Sequence, residues 1–323
     1  MNQEQEYRFK LDSLVAQGTE SEFYAELLTE VTSVCRSLGF KEQDAIVSTL
    51  EKLWLPVALD LAIASQKLNR TFIQGILGGQ GTGKSTLCEI LHVILSYLGF
   101  SAASLSLDDL YLTYAERQTL QQQDPRLIWR GPPGTHDLAS GIKVIEQCLQ
   151  EDYTAQISLP RFDKSAENGA GDRITPEVID KPDILLFEGW FVGVQPIAKA
   201  LFAEILSDNS PPPIVTEADR QFAIANNQRL QAYVPLWSKL DSLIVLHPED
   251  YRLSKQWRKE AEHKMIAQGK DGMTDEEIER FVEYFWKALH PELLIKPLTK
   301  TADLVVEIKS DRTLGKIYRP RNL

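Results

Sequence analysis

Nine residues, GGQGTGKST at positions 78–86, constrain the fold of this chain more than any others. Gly78, Gly83, Lys84 and Ser85 satisfy the spacing G-x-x-x-x-G-K-[ST], which carries meaning only where a buried strand ends and a helix begins. Both flanks comply. TFIQGIL, residues 71–77, is a short apolar run, and LCEILHVILSYLG, residues 87–99, is a helical stretch. Glycines in such a loop let successive backbone N–H groups turn toward phosphate oxygens, and a helix starting near Lys84 adds the positive end of its dipole. Lys84 should then reach the β- and γ-phosphates and the Ser85 hydroxyl should ligate Mg²⁺. Gly78, Gly79, Gln80, Gly81, Thr82, Gly83, Lys84, Ser85 and Thr86 together read as a cradle for a nucleoside triphosphate.

Four similar apolar runs follow: AASLSL (102–107), DILLFEG (183–189), SLIVL (242–246) and ADLVVEI (302–308). Strands separated by helical patterns predict an α/β fold, a mostly parallel sheet with helices on both faces. Its crossovers should be right-handed and its ligands should lie beyond the carboxyl ends of the strands. Before the cradle the pattern is helical. Phe23, Leu27, Leu28 and Val31 recur at helical spacing, and residues 45–68 continue it. Residues 1–70 are therefore expected as an N-terminal helical extension. Residues 71–323 form the main domain, with a substrate loop over about 125–175 and a lid over about 249–270.

The bulk properties narrow the partners. A net charge of −11 in 323 residues leaves no basic stripe for nucleic acid, although a small anion needs only a local cluster of cations. Cys35, Cys88 and Cys148 are far apart, so neither a zinc site nor a disulfide framework is implied, and Cys88 reads as a buried structural thiol. The opening residues lack the pattern of a secretory signal, and the apolar stretch over 91–107 is broken by His92, Ser96 and Gly99. The expectation is a cytoplasmic protein, a monomer or small homo-oligomer, acting on a small molecule with no nucleic-acid or membrane partner.

A phosphate cradle serves motors, switches and kinases alike, and two carboxylate sites point to the last. Asp108 and Asp109 follow the second candidate strand, where a carboxylate can accept a proton from an attacking hydroxyl; the same pair could be a turn or cap. Glu188 ends the apolar run DILLF, as an acid that holds magnesium should.

The order GGQGTGKST, SLDDLYLT, LPRFDKSAENGAGDR, LLFEGW resembles the phosphoribulokinase/uridine kinase group of P-loop kinases. RGPPGTHDL (130–138), RFDKSAENGAGDR (161–173), EGWFVG (188–193), WRKEAE (257–262) and GMTDEEIERFVEYF (272–285) are most similar to the plant and cyanobacterial type of D-glycerate 3-kinase within it. The likeness runs from about residue 71 to the C-terminus. It implies transfer of the ATP γ-phosphoryl group to the 3-hydroxyl of D-glycerate, giving 3-phosphoglycerate and ADP. By the same resemblance Asp108 inherits the general-base role, Glu188 matches the acid of the E-G pair, and Asp163, Arg173, His136 and Asp137 face the substrate. A glycerate carboxylate needs a fixed cation, and Arg suits it. Arg130, Arg161 and Arg173 are the nearby choices, with Arg173 favoured; surface acids such as Glu167 or Asp172 are their alternative partners. In related kinases the charged run over 250–268 is a lid, and Arg258 on it is the expected cation for transition-state charge. Lys259 and Glu260 depart from the family's residues there.

Overall fold

A computed structural model describes residues 3–267, 269 and 272–320. Its centre is a six-stranded sheet built from β1 (Phe72–Gly78), β2 (Ala102–Ser106), β5 (Ile184–Gly189), β6 (Ser242–Pro248), β7 (Leu304–Ile308) and β8 (Leu314–Tyr318), in the order β2-β5-β1-β6-β7-β8. Every pair but the last is parallel; β8 turns back antiparallel on β7. The five apolar runs are the five parallel strands. A separate antiparallel hairpin, β3 (Ile157–Asp163) and β4 (Asp172–Ile179), was not anticipated. Neither was β8.

Strands in a sheet covered on both faces read as unbroken apolar runs because alternate residues enter two different cores. Ile76, Ile184, Leu186 and Ile244 face one helical layer, while Ile73, Leu77, Leu185, Phe187 and Val245 face the other. The first layer contains α1 (Gln3–Gln17), α2 (Tyr24–Ser37), α3 (Gln43–Thr49) and α4 (Leu55–Gln66), packed around the cradle helix α5 (Lys84–Tyr97). Helical spacing over 45–68 becomes α3 and α4 joined by one wide turn, Leu50–Trp54. Pro56, which has no N–H to give to a preceding carbonyl, is the second residue of the helix that follows. The second layer is α7 (Leu138–Leu149), α8 (Lys199–Asn209), α9 (Glu217–Arg229) and α10 (Val234–Trp237), with α6 (Tyr114–Gln123) outside it.

The predicted lid region becomes the end of β6, a turn and α11 (Leu253–Ala267); residues 268 and 270 of it lie outside the described residues. α11 packs on α12 (Asp275–Ala288). Among the described residues no helix is long and apolar enough to cross a membrane. Cys35, Cys88 and Cys148 are all free and buried, and burial pushes the Cys88 thiol up to about 12.

The N-terminal helices are packed against the cradle helix and not tethered beside it. Leu27 and Val31 of α2 are fully buried in the same core as Leu91 and Ile94 of α5. Leu27→Ala should therefore destabilise the whole protein by about 2–5 kcal/mol in denaturant unfolding. An unchanged midpoint would mean that residues 1–70 unfold separately.

Candidate active site

The site lies at the carboxyl ends of β1, β2 and β5. At the cradle, Gly81 and Gly83 take left-handed conformations (φ +78° and +88°), which side-chain-bearing residues rarely adopt. Gly83 caps α5, so Lys84, Ser85 and Thr86 form the helix's first turn, with Ser85 exposed. Thr82 Oγ1 donates to the Gly79 carbonyl at 2.9 Å. Lys84 Nζ donates to the same carbonyl at 3.2 Å and stands 3.9 Å from Glu188 Oε2. The side-chain oxygen of Gln80 is buried without a partner.

β2 delivers the two aspartates into a short 3₁₀ turn, Leu107–Leu110, and the turn separates their roles. Asp109 Oδ2 accepts the Ser106 N–H at 3.0 Å and pairs with Arg161 Nη1 at 2.9 Å. That is a capping box. Asp108 instead meets the Tyr111 hydroxyl, which donates to Oδ1 at 2.7 Å, and Lys164 Nζ, 2.6 Å from Oδ2. Burial would raise the Asp108 carboxyl, but the Lys164 ammonium, the Tyr111 hydroxyl and Lys84 outweigh it and hold the group below the usual carboxylate range. Asp109 goes the other way: burial raises it despite Ser106 and Arg161. Two adjacent carboxylates thus differ, one ionised beside two lysines and one locked into a cap.

The arginines are anchored by the protein's own groups. Arg161 bonds Asp109, Glu177 and the Ser104 carbonyl, fastening the β3–β4 hairpin to the sheet. Arg130 donates to the Gly169 and Ala170 carbonyls, both at 2.8 Å, over the Phe162 ring. Arg173 donates to the Tyr111 carbonyl at 2.9 Å and pairs with Asp137 Oδ2 at 2.9 Å. Asp137 also caps α7 through Ser140. Asp163 is half-buried, its Oδ1 accepting from the Ser165 N–H and hydroxyl in the hairpin turn. Of the three arginines, Arg173 alone bonds directly to the Tyr111 that touches Asp108.

His136 is 6% exposed, and burial lowers its imidazole to about 3, so it is neutral. Its Nδ1 lies 2.7 Å from the Tyr233 hydroxyl, and its Nε2 has no partner. Tyr233 Oη also accepts the Gly134 N–H at 2.8 Å, so one hydroxyl ties the imidazole to the loop that carries it. The ring lies 4.8 Å from that of Tyr111.

Arg258 differs from the expectation of a cation over the phosphates. It pairs with buried Glu262 at 2.8 Å and lies over Phe281, between α11 and α12. Trp257 takes the cradle side instead: a Cβ on Gly81 would come within 2.7 Å of the Trp257 Cβ. Consecutive residues on a helix point apart, so seating Trp257 on the cradle turns Arg258 away from it. Lys259 and Glu260 likewise pair with Glu279 and Arg312.

Three contributors were not singled out from sequence: Lys164, Tyr233 and Trp257. Lys164 follows Asp163 directly, but nothing in local spacing shows that a hairpin will lay it on Asp108. The capping role of Asp109 makes a simple prediction. Asp109→Ala should cost about 1–3 kcal/mol of stability by stranding Arg161 and the Ser106 N–H; an unaltered unfolding midpoint would contradict it.

No family model matches the chain. An uncharacterized kinase of Schizosaccharomyces pombe is 33% identical over 224 residues, 67% of this chain and 79% of that protein. The chloroplastic D-glycerate 3-kinase of Arabidopsis thaliana is 32% identical over 250 residues, 73% of this chain, and the match spans 52% of the Arabidopsis protein's length. Among solved structures, D-glycerate 3-kinase from Cryptococcus neoformans var. grubii superposes with a TM-score of 0.70 at 28% identity, over 81% of this chain and 96% of that one. With a phosphate cradle at the end of a parallel strand and these relatives, the chain belongs to the family of P-loop kinases that includes D-glycerate 3-kinase.

Proposed function

We propose that this kinase transfers the γ-phosphoryl group of ATP to the 3-hydroxyl of D-glycerate, giving 3-phosphoglycerate and ADP. The observation that carries the reading is the convergence of ionised Asp108, Lys84 and Glu188 at the ends of three adjacent strands. The relatives described as D-glycerate 3-kinases support the acceptor.

The acceptor hydroxyl oxygen attacks the γ-phosphorus as its proton passes to Asp108. The bond to the bridging oxygen breaks and its electrons leave on ADP. Little covalent work falls to the protein; it aligns donor and acceptor and meets the charge that develops. Lys84 and the cradle's N–H groups do the second task, and Arg258 joins them only by leaving Glu262. Ser85 and Glu188 would hold Mg²⁺, which neutralises phosphate charge. One hydroxyl and one carboxylate suit an ion that arrives on phosphates, and among the described residues no cluster of three or more His, Cys, Asp or Glu forms a protein cage. Tyr111 and Arg173 keep the base in place, and the neutral, buried imidazole of His136 backs the Tyr111 ring.

A panel of acceptors with ATP tests the reading. D-glycerate should be phosphorylated in preference to uridine, pantothenate and sugar phosphates. Preference for one of these moves the same chemistry to another hydroxyl, and ATP binding with no acceptor turned over would point to a nucleotide-binding regulator. Asp108→Asn should lower kcat by about 10²–10⁴ with the KM for ATP nearly intact. Turnover that survives the change removes Asp108 as the base.

A further inference from the structure

We propose that Lys164 selects an acidic acceptor, its ammonium pairing with the carboxylate of D-glycerate while Asp108 takes the hydroxyl. The proposal rests on the glycerate reading above. The other cations around Asp108 are already engaged. Arg173 is tied to the Tyr111 carbonyl and to Asp137, and Arg130 to two carbonyls of the hairpin loop. Arg117 donates to the carbonyls of Leu112, Ala170 and Gly171. Arg161 holds Asp109 and Glu177. Moving any of these to a ligand would unmake a cap, a strand connection or a loop. Lys84 belongs to the phosphates.

Lys164 is different. The one partner the described contacts give it is Asp108, at 2.6 Å, and its side chain is 60% exposed. An exposed lysine can exchange that carboxylate for another at small cost, because the alternative pair has the same chemistry. The backbone beneath it is held in position. Asp163 takes both hydrogens of Ser165, and Gly169 and Gly171 donate back to Ser165 and Ala166. Glu167 and Asn168 sit in left-handed conformations within this loop, and Arg117 and Arg130 clamp its far side through the Ala170 carbonyl. Strain that is held by so many contacts marks a loop whose shape matters.

The spacing suits a hydroxy acid. In D-glycerate one carbon, C2, separates the carbon bearing the accepting hydroxyl from the carboxylate. A base and an ammonium in direct contact therefore span the two ends of such a molecule: the hydroxyl goes to Asp108 and the carboxylate to Lys164. A nucleoside or a neutral polyol offers Lys164 nothing and must break the Lys164–Asp108 pair without replacing it. The charge left without a partner is then the Asp108 carboxylate, only 29% exposed, and that penalty is what selects against the wrong ligand.

The test is steady-state kinetics of the full chain with ATP and D-glycerate for wild type, Lys164→Met and Lys164→Arg. In Lys164→Met the KM for D-glycerate should rise by about 10- to 100-fold. The KM for ATP should stay near the wild-type value, which also shows that the variant is folded. Lys164→Arg should recover most of the loss. A Lys164→Met enzyme with wild-type KM for D-glycerate, or equal losses in Met and Arg variants, overturns the assignment. Wild-type protein that phosphorylates no D-glycerate overturns the acceptor itself, and that outcome is distinct from an active wild type with an indifferent Lys164.

Discussion

The site depends on one piece of register. β5 lies between β1 and β2 with Glu188 level with both Ile76 and Ser106. The cradle begins two residues beyond Ile76, and Asp108 lies two beyond Ser106, so three chemical groups arrive at one edge of the sheet. A slip of one residue would send every side chain of β5 to the opposite face. Two cores forbid it. Ile184 and Leu186 are buried with α5, while Leu185 and Phe187 are buried with α7 and α10. Glu188 continues the alternation of Ile184 and Leu186, which is why its carboxylate comes out beside Lys84 at the start of α5.

A second constraint joins α11 to the cradle. Trp257 is 1% exposed, with Gly81 against it, Arg312 over its ring and its Nε1 donating to the Ser310 carbonyl at 3.2 Å. Gly81 lacks a side chain at the point where the tryptophan approaches. α11 is thereby fixed to the loop that holds phosphate, and the adjoining α12 brings Phe285 and Trp286 to a pocket that also reaches Gly79, Gln80 and Thr82. Movement of α11 would be felt in the cradle at once. The Arg258–Glu262 pair sits on the other side of the same helix, away from the phosphate position.

The parallel sheet was legible because each of its strands is an apolar run closed by a turn, and the cradle because its spacing has a mechanism. β3 and β4 were not. RITPEVI is exposed along most of β4, Pro160 and a bulge interrupt β3, and such segments read as loop when only burial patterns are followed. The candidate arginines show a deeper limit. Composition tells that Arg130, Arg161 and Arg173 are near one another in sequence, but not which carbonyl or carboxylate will claim each. Arg161 went to Asp109 because the hairpin folds over β2, a contact across more than fifty positions. Asp108 and Asp109, adjacent and chemically identical, were separated by a single 3₁₀ turn that no periodicity reveals.

The register of the sheet brings the cradle, Glu188 and Asp108 together; in the function proposed here these are the phosphate site, the magnesium-side acid and the base, with Lys164 of the hairpin selecting the acceptor. Its central claim is the atom that receives the phosphate. Incubation of the protein with ATP, Mg²⁺ and D-glycerate, followed by phosphorus–proton correlation NMR of the product, reads that atom directly. The account predicts a new phosphorus resonance coupled to the C3 methylene protons, growing with ADP. Coupling to the C2 proton, or release of ADP with no phosphorylated glycerate, would contradict it.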